Sequence, residues 1–388
     1  MVCLLRCSSV LRVAFLLLLC ACSMGMARAQ QLVSVSLLDT SRLERLEIVP
    51  ARGRYSVLVN GVSRSLSVGE RLRVVRTGDS LFLRVGAELL GLCRHAVLLG
   101  EEGRGQFTLE VEPPLALSRL YDGNVSLSVD YGRIMCVNLV EMDVYLAGVI
   151  QAEMGYRAPL EAYKAQALLA RTYLLEHLER HLAEGFNVCD QVHCQAYHGS
   201  ASANEVAMRA ARETSGQVVV DAQGQLIEAV FHANSGGETA AAGDVWLREV
   251  PYLRRVADPH SAGQRGARWS KRIPLESWRR FMESKGVPRR AAGAYALRTP
   301  RRASHYQLSG ARPVPFREIR EHFHLKSAWF DVQVQGGMIV LEGRGYGHGI
   351  GLSQEGAMEM ARRGYDARAI LEHYLPGTRI VGRETAAK

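Results

Sequence analysis

Beyond its first thirty residues the chain has no apolar run near the roughly 20 residues that a membrane-spanning helix needs, which leaves a globular protein. Internal repeats and low-complexity segments are missing too, so there is no repeat array and no disordered bulk. No register of "VLEGRGYGHGIGLSQEGAMEMA" gives G-x-G-x-x-G, and G-x-x-x-x-G-K-[ST] does not occur, which argues against a nucleotide site. Ser235 in "FHANSGGET", with His232 three residues before it, lacks the G-x-S-x-G elbow of a serine hydrolase. Basic residues are not interleaved with aromatics as in single-strand nucleic-acid binders. The net charge of +9 therefore points to an anionic envelope polymer or surface, with no nucleic acid as partner. Cysteine is scarce. Of eight, four lie in the leading segment and leave Cys93, Cys136, Cys189 and Cys194.

What is present begins with that leading segment. Arg6 and Arg12 precede an apolar run that closes on Ala27-Arg28-Ala29, the pattern of an export signal over residues 1–29. Leu19-Cys20-Ala21-Cys22 offers an alternative, a lipoprotein-type signal that would keep Cys22 as a lipid-bearing first residue. Residues 30–115 then read as a small all-β domain, with short alternating runs such as "RYSVLVNG" and "SLFLRVG" between turn residues, and "EPPLALSRLYDG" as its boundary. Residues 116–388 form a larger mixed domain. Helices are expected over Asp143–Met154 and from Leu160 to Glu184, with strands near 217–221 and 226–234. A less patterned basic stretch follows over 258–327, then two strands, a glycine loop and a helix from Gln354 to Arg363.

Three constellations carry chemistry. On the first helix, Tyr145, Leu146, Val149, Ile150 and Ala152 share one arc at 100° per residue, and Glu153 falls inside it. Packing does not call for a carboxylate there. Lys164 and Arg171 likewise lie within the apolar face of the second helix. In "CDQVHCQAYHG", Cys189, His193, Cys194 and His198 crowd together, with His177 and His181 just upstream. Cys189, His193, Cys194 and His181 or His177 make a tetrahedral zinc set; a Cys189–Cys194 disulfide is the alternative, which export favours. The alternating glycines from 343 to 351 let the backbone approach a neighbour or ligand closely, with His348 and Gln354 beside them.

Taken in order, "VEMDVYLAGVIQAEM", "EAYKAQALLARTYLL", "CDQVHCQAYHG", "FHANSGGET", "VWLREVPYLRRVAD" and "GRGYGHGIGLSQEGAMEMARRGYDARAILEHYLPGTRI" resemble the stage II sporulation protein D family, which includes the amidase enhancers. The match runs from about Leu117 to Val381. The resemblance implies a peptidoglycan lytic transglycosylase acting on glycan strands stripped of stem peptides, with Glu153 as catalytic acid. It implies no cofactor for catalysis, a structural zinc at most, and Lys164, Arg171, Gln195, Tyr197, Ser235, His348 and Gln354 along the substrate groove. The amidase-enhancer branch implies the alternative of a wall-binding activator of an amidase. The expected fold is α+β: a small β domain, then a mixed sheet with two adjacent helices forming the catalytic cleft around Glu153.

Overall fold

The computed structural model describes residues 31–101, 105–246 and 248–387. The leading segment, on which the expected export signal and Cys22 fall, lies outside the described residues. Among those described, no helix is long and apolar enough to cross a membrane. The fold is α+β with an all-β N-terminal region, and the chain divides into two compact units. The first runs through Ala152 and takes in His177–Ala203; the second holds Glu153–Glu176 and the residues from Asn204 onward.

In the first unit, alternating sequence makes alternating burial, as in β2 where Leu46, Ile48 and Pro50 face inward. The strands are β1 (Leu32–Leu37), β2 (Arg45–Arg52), β3 (Tyr55–Val59), β4 (Val62–Leu66), β5 (Leu72–Thr77), β6 (Ser80–Val85), β7 (Glu88–Cys93), β8 (His95–Gly100), β9 (Gln106–Val111), β10 (Leu117–Asp122), β11 (Asn124–Asp130), β12 (Arg133–Glu141) and the short β13 (Val188–Cys189). One sheet has the order β13-β1-β12-β11-β8-β3-β4, the other β10-β9-β2-β5-β6-β7. The boundary expected near residue 115 falls between β9 and β10, which pair antiparallel from Val111↔Leu117 to Gln106↔Asp122. β11 pairs back onto β8 as well. The paired prolines interrupt a strand connection there, and the compact unit continues past them.

Helix α1 (Met142–Met154) follows β12, and every residue from Tyr145 to Ile150 is buried. Helix α2 (Leu160–Glu176) is the spine of the second unit. It packs on α3 (Glu205–Glu213), α7 (Gln354–Arg362) and α8 (Ala367–Tyr374), with β14 (Gln217–Val220) beside it. Ala165, Leu168 and Leu169 enter one core with Val219, Ile227, Leu352, Ile370 and Tyr374. The remaining helices of the second unit are α4 (Ala242–Trp246), α5 (Leu275–Ser284) and α6 (Phe316–His322). A second core, including Trp269, Trp278, Phe281, Tyr306, Phe316 and Leu341, lies on the three-stranded sheet β16-β20-β19. Those strands are β16 (Arg268–Pro274), β19 (Phe330–Gln335) and β20 (Met338–Arg344).

The second helix stops at Glu176, eight residues before the expected Glu184. Asn187 donates its side-chain amide to the Leu178 carbonyl, and the chain turns through a single 3-10 turn, Leu182–Glu184, closed by Gly185 at φ 92°. Local polar bonding of this kind competes with helix continuation. The expected strand over 226–234 shrinks to β15 (Phe231–His232), parallel to β21 (Leu352–Ser353).

Candidate functional site

Glu153 is the penultimate residue of α1, half-buried, and the last turn of that helix carries no basic residue. The chain breaks at Gly155, whose φ of 77° suits glycine. The Tyr163 hydroxyl on α2 donates to the Gly155 carbonyl, and Asn204 donates to that hydroxyl at 3.1 Å. The turn that follows Glu153 is thus held by a side chain of the next helix.

The two cations read as facing a groove serve the fold. Lys164 pairs with Glu161 at 2.8 Å and with Glu213 at 2.6 Å, linking α2 to α3. Arg171 is 1% exposed. It donates to the carbonyls of Thr214 at 2.7 Å and Ala211 at 3.0 Å, and to the Thr214 hydroxyl at 3.2 Å. The helix pattern placed both side chains on the inner face, where Arg171 is buried and Lys164 half-buried, but the C-terminal carbonyls of α3, forty residues on, are the partners of the guanidinium. A cation at that helix end is stabilised by the carbonyls that have no intrahelical partner.

Other expected groove residues are also interior. Tyr197 is fully buried, donates to Asn138 Oδ1 at 3.2 Å and packs on Tyr145 and Tyr121; Gln195 accepts from the Tyr145 hydroxyl at 3.3 Å. Ser235 donates to Asp258 Oδ2 at 2.7 Å, and Asp258 also accepts from Tyr374 at 2.9 Å and from the Ser261 amide at 3.1 Å. All three side chains are buried and bonded to other parts of the protein. His348 keeps some exposure. Its Nε2 donates to the Phe231 carbonyl at 2.9 Å while Nδ1 accepts from the Ile350 amide at 3.1 Å, and burial pushes its pKa down to about 4, so the ring is neutral. Gln354 is buried with its amide nitrogen lacking a protein partner.

The alternating glycines meet a neighbouring segment. A Cβ at Gly351 would lie 2.2 Å from the Val230 carbonyl, and one at Gly343 would lie 1.9 Å from the Trp269 ring. The loop is therefore laid against the 230–236 segment, where Asn234 bridges to Tyr346.

In the first unit, His181, Cys189, His193 and Cys194 bring their ligand atoms within 4.8 Å of one another. Both cysteines are free thiols, so the disulfide alternative is not formed. His181 takes the place left open between it and His177. His198 is exposed and outside the set. Cys194 Sγ lies 3.5 Å from His181 Nε2 and 3.6 Å from His193 Nδ1, and Cys189 Sγ lies 3.9 Å from His193 Nδ1. Tetrahedral zinc with bonds of about 2.3 Å to sulfur and 2.0–2.1 Å to nitrogen puts those atoms about 3.6 Å apart. The donor set fits. The hydrogen bond that Cys189 shares with Cys194 pushes the Cys194 thiol down to about 6 and Cys189 up, so one thiolate is already favoured. Glu184, which the sequence reading passed over, accepts from His181 Nδ1 at 2.6 Å and turns Nε2 toward the sulfurs. Its i,i+3 spacing from His181 was the available signal.

With this geometry in place, comparison with known proteins defines the class. Residues 130–220 match the family model described as stage II sporulation protein. The chain is 30% identical over 302 residues to stage II sporulation protein D of Bacillus subtilis (strain 168), covering 74% of this chain and 84% of that protein. It is 25% identical over 345 residues to an uncharacterized protein of Brachyspira hyodysenteriae, covering 87% and 92%. The amidase enhancer of Bacillus subtilis is 28% identical over 287 residues, which is 60% of this chain and 40% of that protein. The chain belongs to the stage II sporulation protein D family.

Proposed function

We propose that this chain acts on the cell wall as a lytic transglycosylase, cutting stem-peptide-free glycan strands at N-acetylmuramic acid and leaving 1,6-anhydro ends. The observation that carries this reading is the position of Glu153, half-buried at the carboxyl end of α1 in the "EM" motif the family resemblance marks. A general acid must arrive protonated. Glu153 gives its proton to the glycosidic oxygen as the C1–O bond breaks. The resulting carboxylate then removes the proton of the muramic acid C6 hydroxyl, whose oxygen bonds to C1. One carboxylate suffices because the nucleophile belongs to the substrate, whereas hydrolytic glycosidases use two.

Cys189, Cys194, His193 and His181 would hold a structural zinc, which cross-links the 189–194 loop to the turn after α2 and takes no part in the proton transfers. The leading segment directs the chain to the cell envelope, with Cys22 lipidation as the alternative to cleavage at Ala29. Likeness to an amidase enhancer favours a second reading, a wall-bound activator of N-acetylmuramoyl-L-alanine amidase. Digestion of purified strands, with and without stem peptides, separates the two. Anhydro ends released from bare strands alone support the enzyme; ordinary reducing ends mean hydrolysis by water, and uncut strands mean an activator.

A further inference from the structure

The net charge of the chain is concentrated in one segment. Residues 265–326 carry sixteen Lys and Arg against four Asp and Glu, a net +12 where the whole chain is +9. This segment contributes most of the second core, from Trp269 to Leu325, so it is a folded, basic module within the second unit. It also supplies three arginines to a cavity of about 30 Å³, Arg302, Arg317 and Arg320, which His348 and Asp244 complete.

Two of these arginines are unusual. Arg302 is 8% exposed, and Arg320 is partly buried. Neither has a carboxylate within 4.0 Å among the described residues. Arg302 donates Nε to the Glu238 carbonyl and Nη2 to the Ser235 carbonyl, both neutral acceptors, and lies 4.9 Å over the Trp329 ring. Burial pushes its pKa down to about 10. Arg320 donates Nε to the Leu325 carbonyl at 3.3 Å. Three acids lie nearby, Asp244, Glu238 and Glu321, and leave the excess positive charge in place: Glu321, next to Arg320 in sequence, pairs with Arg317 at 3.8 Å. Asp244 is held by Nε and Nη2 of Arg255, each at 2.9 Å, and Glu238 stands beyond ion-pair range of Arg302. His348 is neutral with both ring nitrogens engaged. A guanidinium kept from water without a counter-ion is costly, and a single water needs about 10–15 Å³. The cavity thus has room for the two oxygens of a carboxylate, which a planar guanidinium fork matches.

We infer that the pocket between Arg302 and Arg320 binds a carboxylate, and that the basic module around it draws in a polymer bearing one carboxylate per repeat. The naming of the carrier rests on the proposed function: a glycan strand without stem peptides exposes the lactyl carboxylate of each muramic acid, and an intact stem peptide masks it as an amide. The carboxylate preference of the pocket does not depend on that reading.

The test uses the mature full-length chain with Glu153→Gln, so that strands stay uncut, and measures binding to bare strands, peptide-bearing strands, free D-lactate and vesicles of anionic phospholipid. Arg320→Gln removes a pocket cation, Arg320→Lys keeps the charge without the fork, and Arg280→Gln removes an exposed charge elsewhere in the same module. Thermal unfolding verifies that each is folded. Affinity for bare strands is expected to fall about tenfold or more in Arg320→Gln, the range for a charged hydrogen bond. It should fall part-way in Arg320→Lys and by less than about twofold in Arg280→Gln. Equal small losses at positions 280 and 320 overturn the pocket, as does equal binding of peptide-bearing strands or preferential binding of vesicles. D-lactate binding that depends on Arg320, without any strand cleavage by the parent chain, keeps the pocket and removes the enzymatic reading. Cleavage without any effect of position 320 does the reverse.

Discussion

Replacing Arg171 with leucine separates a structural cation from a substrate-binding one. The side chain is 1% exposed and ties the end of α3 to α2 through charged hydrogen bonds of 2.7 and 3.0 Å to the Thr214 and Ala211 carbonyls. Each such bond contributes roughly 1.5–3 kcal/mol, and leucine removes both charged donors, while the Gln217 amide still donates to the Thr214 carbonyl and the Thr214 hydroxyl to the Ala211 carbonyl. The expected loss is about 3–5 kcal/mol. At about 2–4 °C per kcal/mol for a domain of this size, the melting temperature should drop by about 10 °C. Circular dichroism during heating reads this directly, and strand binding measured well below the lowered midpoint should match the parent. An unchanged midpoint together with lost strand binding would refute the capping role and return Arg171 to the groove.

Stability should also fall as pH drops from about 6.5 to about 4. His348 is held neutral with its pKa near 4, whereas the unfolded chain takes up that proton near 6.5, so the unfolded state gains protons first. The loss from His348 alone is about 3 kcal/mol, with His232 adding in the same direction because burial lowers it too; denaturant midpoints at pH 7 and pH 4.5 check it, and equal midpoints would contradict the neutral ring. Gly343→Ala should destabilise by about 3 kcal/mol, because its Cβ would enter the Trp269 ring; a parent-like midpoint would mean the strands separate freely. Chain purified under reducing conditions without chelator should carry one zinc, and Cys194→Ser should lose it; a metal-free chain with a quantitative Cys189–Cys194 disulfide would contradict the site.

The sequence made several parts of this structure legible. Period-two alternation gave the β strands, and the glycine after Glu153 gave the end of α1. The crowding of Cys189, His193 and Cys194 gave the donor cluster, because all three fall within six consecutive residues. The choice of His181 was hidden. It depends on α2 ending at Glu176, which follows from an Asn187 bond to Leu178 that no helix pattern reveals. Periodicity placed Arg171 and Lys164 on the inner face, yet it reports direction without partners, and apart from Glu161 on α2 itself the partners lie on α3 and at its C-terminal end. The boundary near residue 115 was drawn from Pro113 and Pro114, which disrupt pairing locally while β9 and β10 pair on either side of them. Local turn chemistry does not report long-range register.

Glu153→Gln keeps the shape of the side chain and removes its transferable proton. Bare strands are incubated with the parent and the variant, and chain ends are identified by mass. The parent should release 1,6-anhydro ends, and the variant should do so at a rate lower by roughly two to four orders of magnitude, the range for loss of a general acid. Anhydro ends formed equally by both proteins would contradict it, as would uncut strands with equal stimulation of a separate amidase by both.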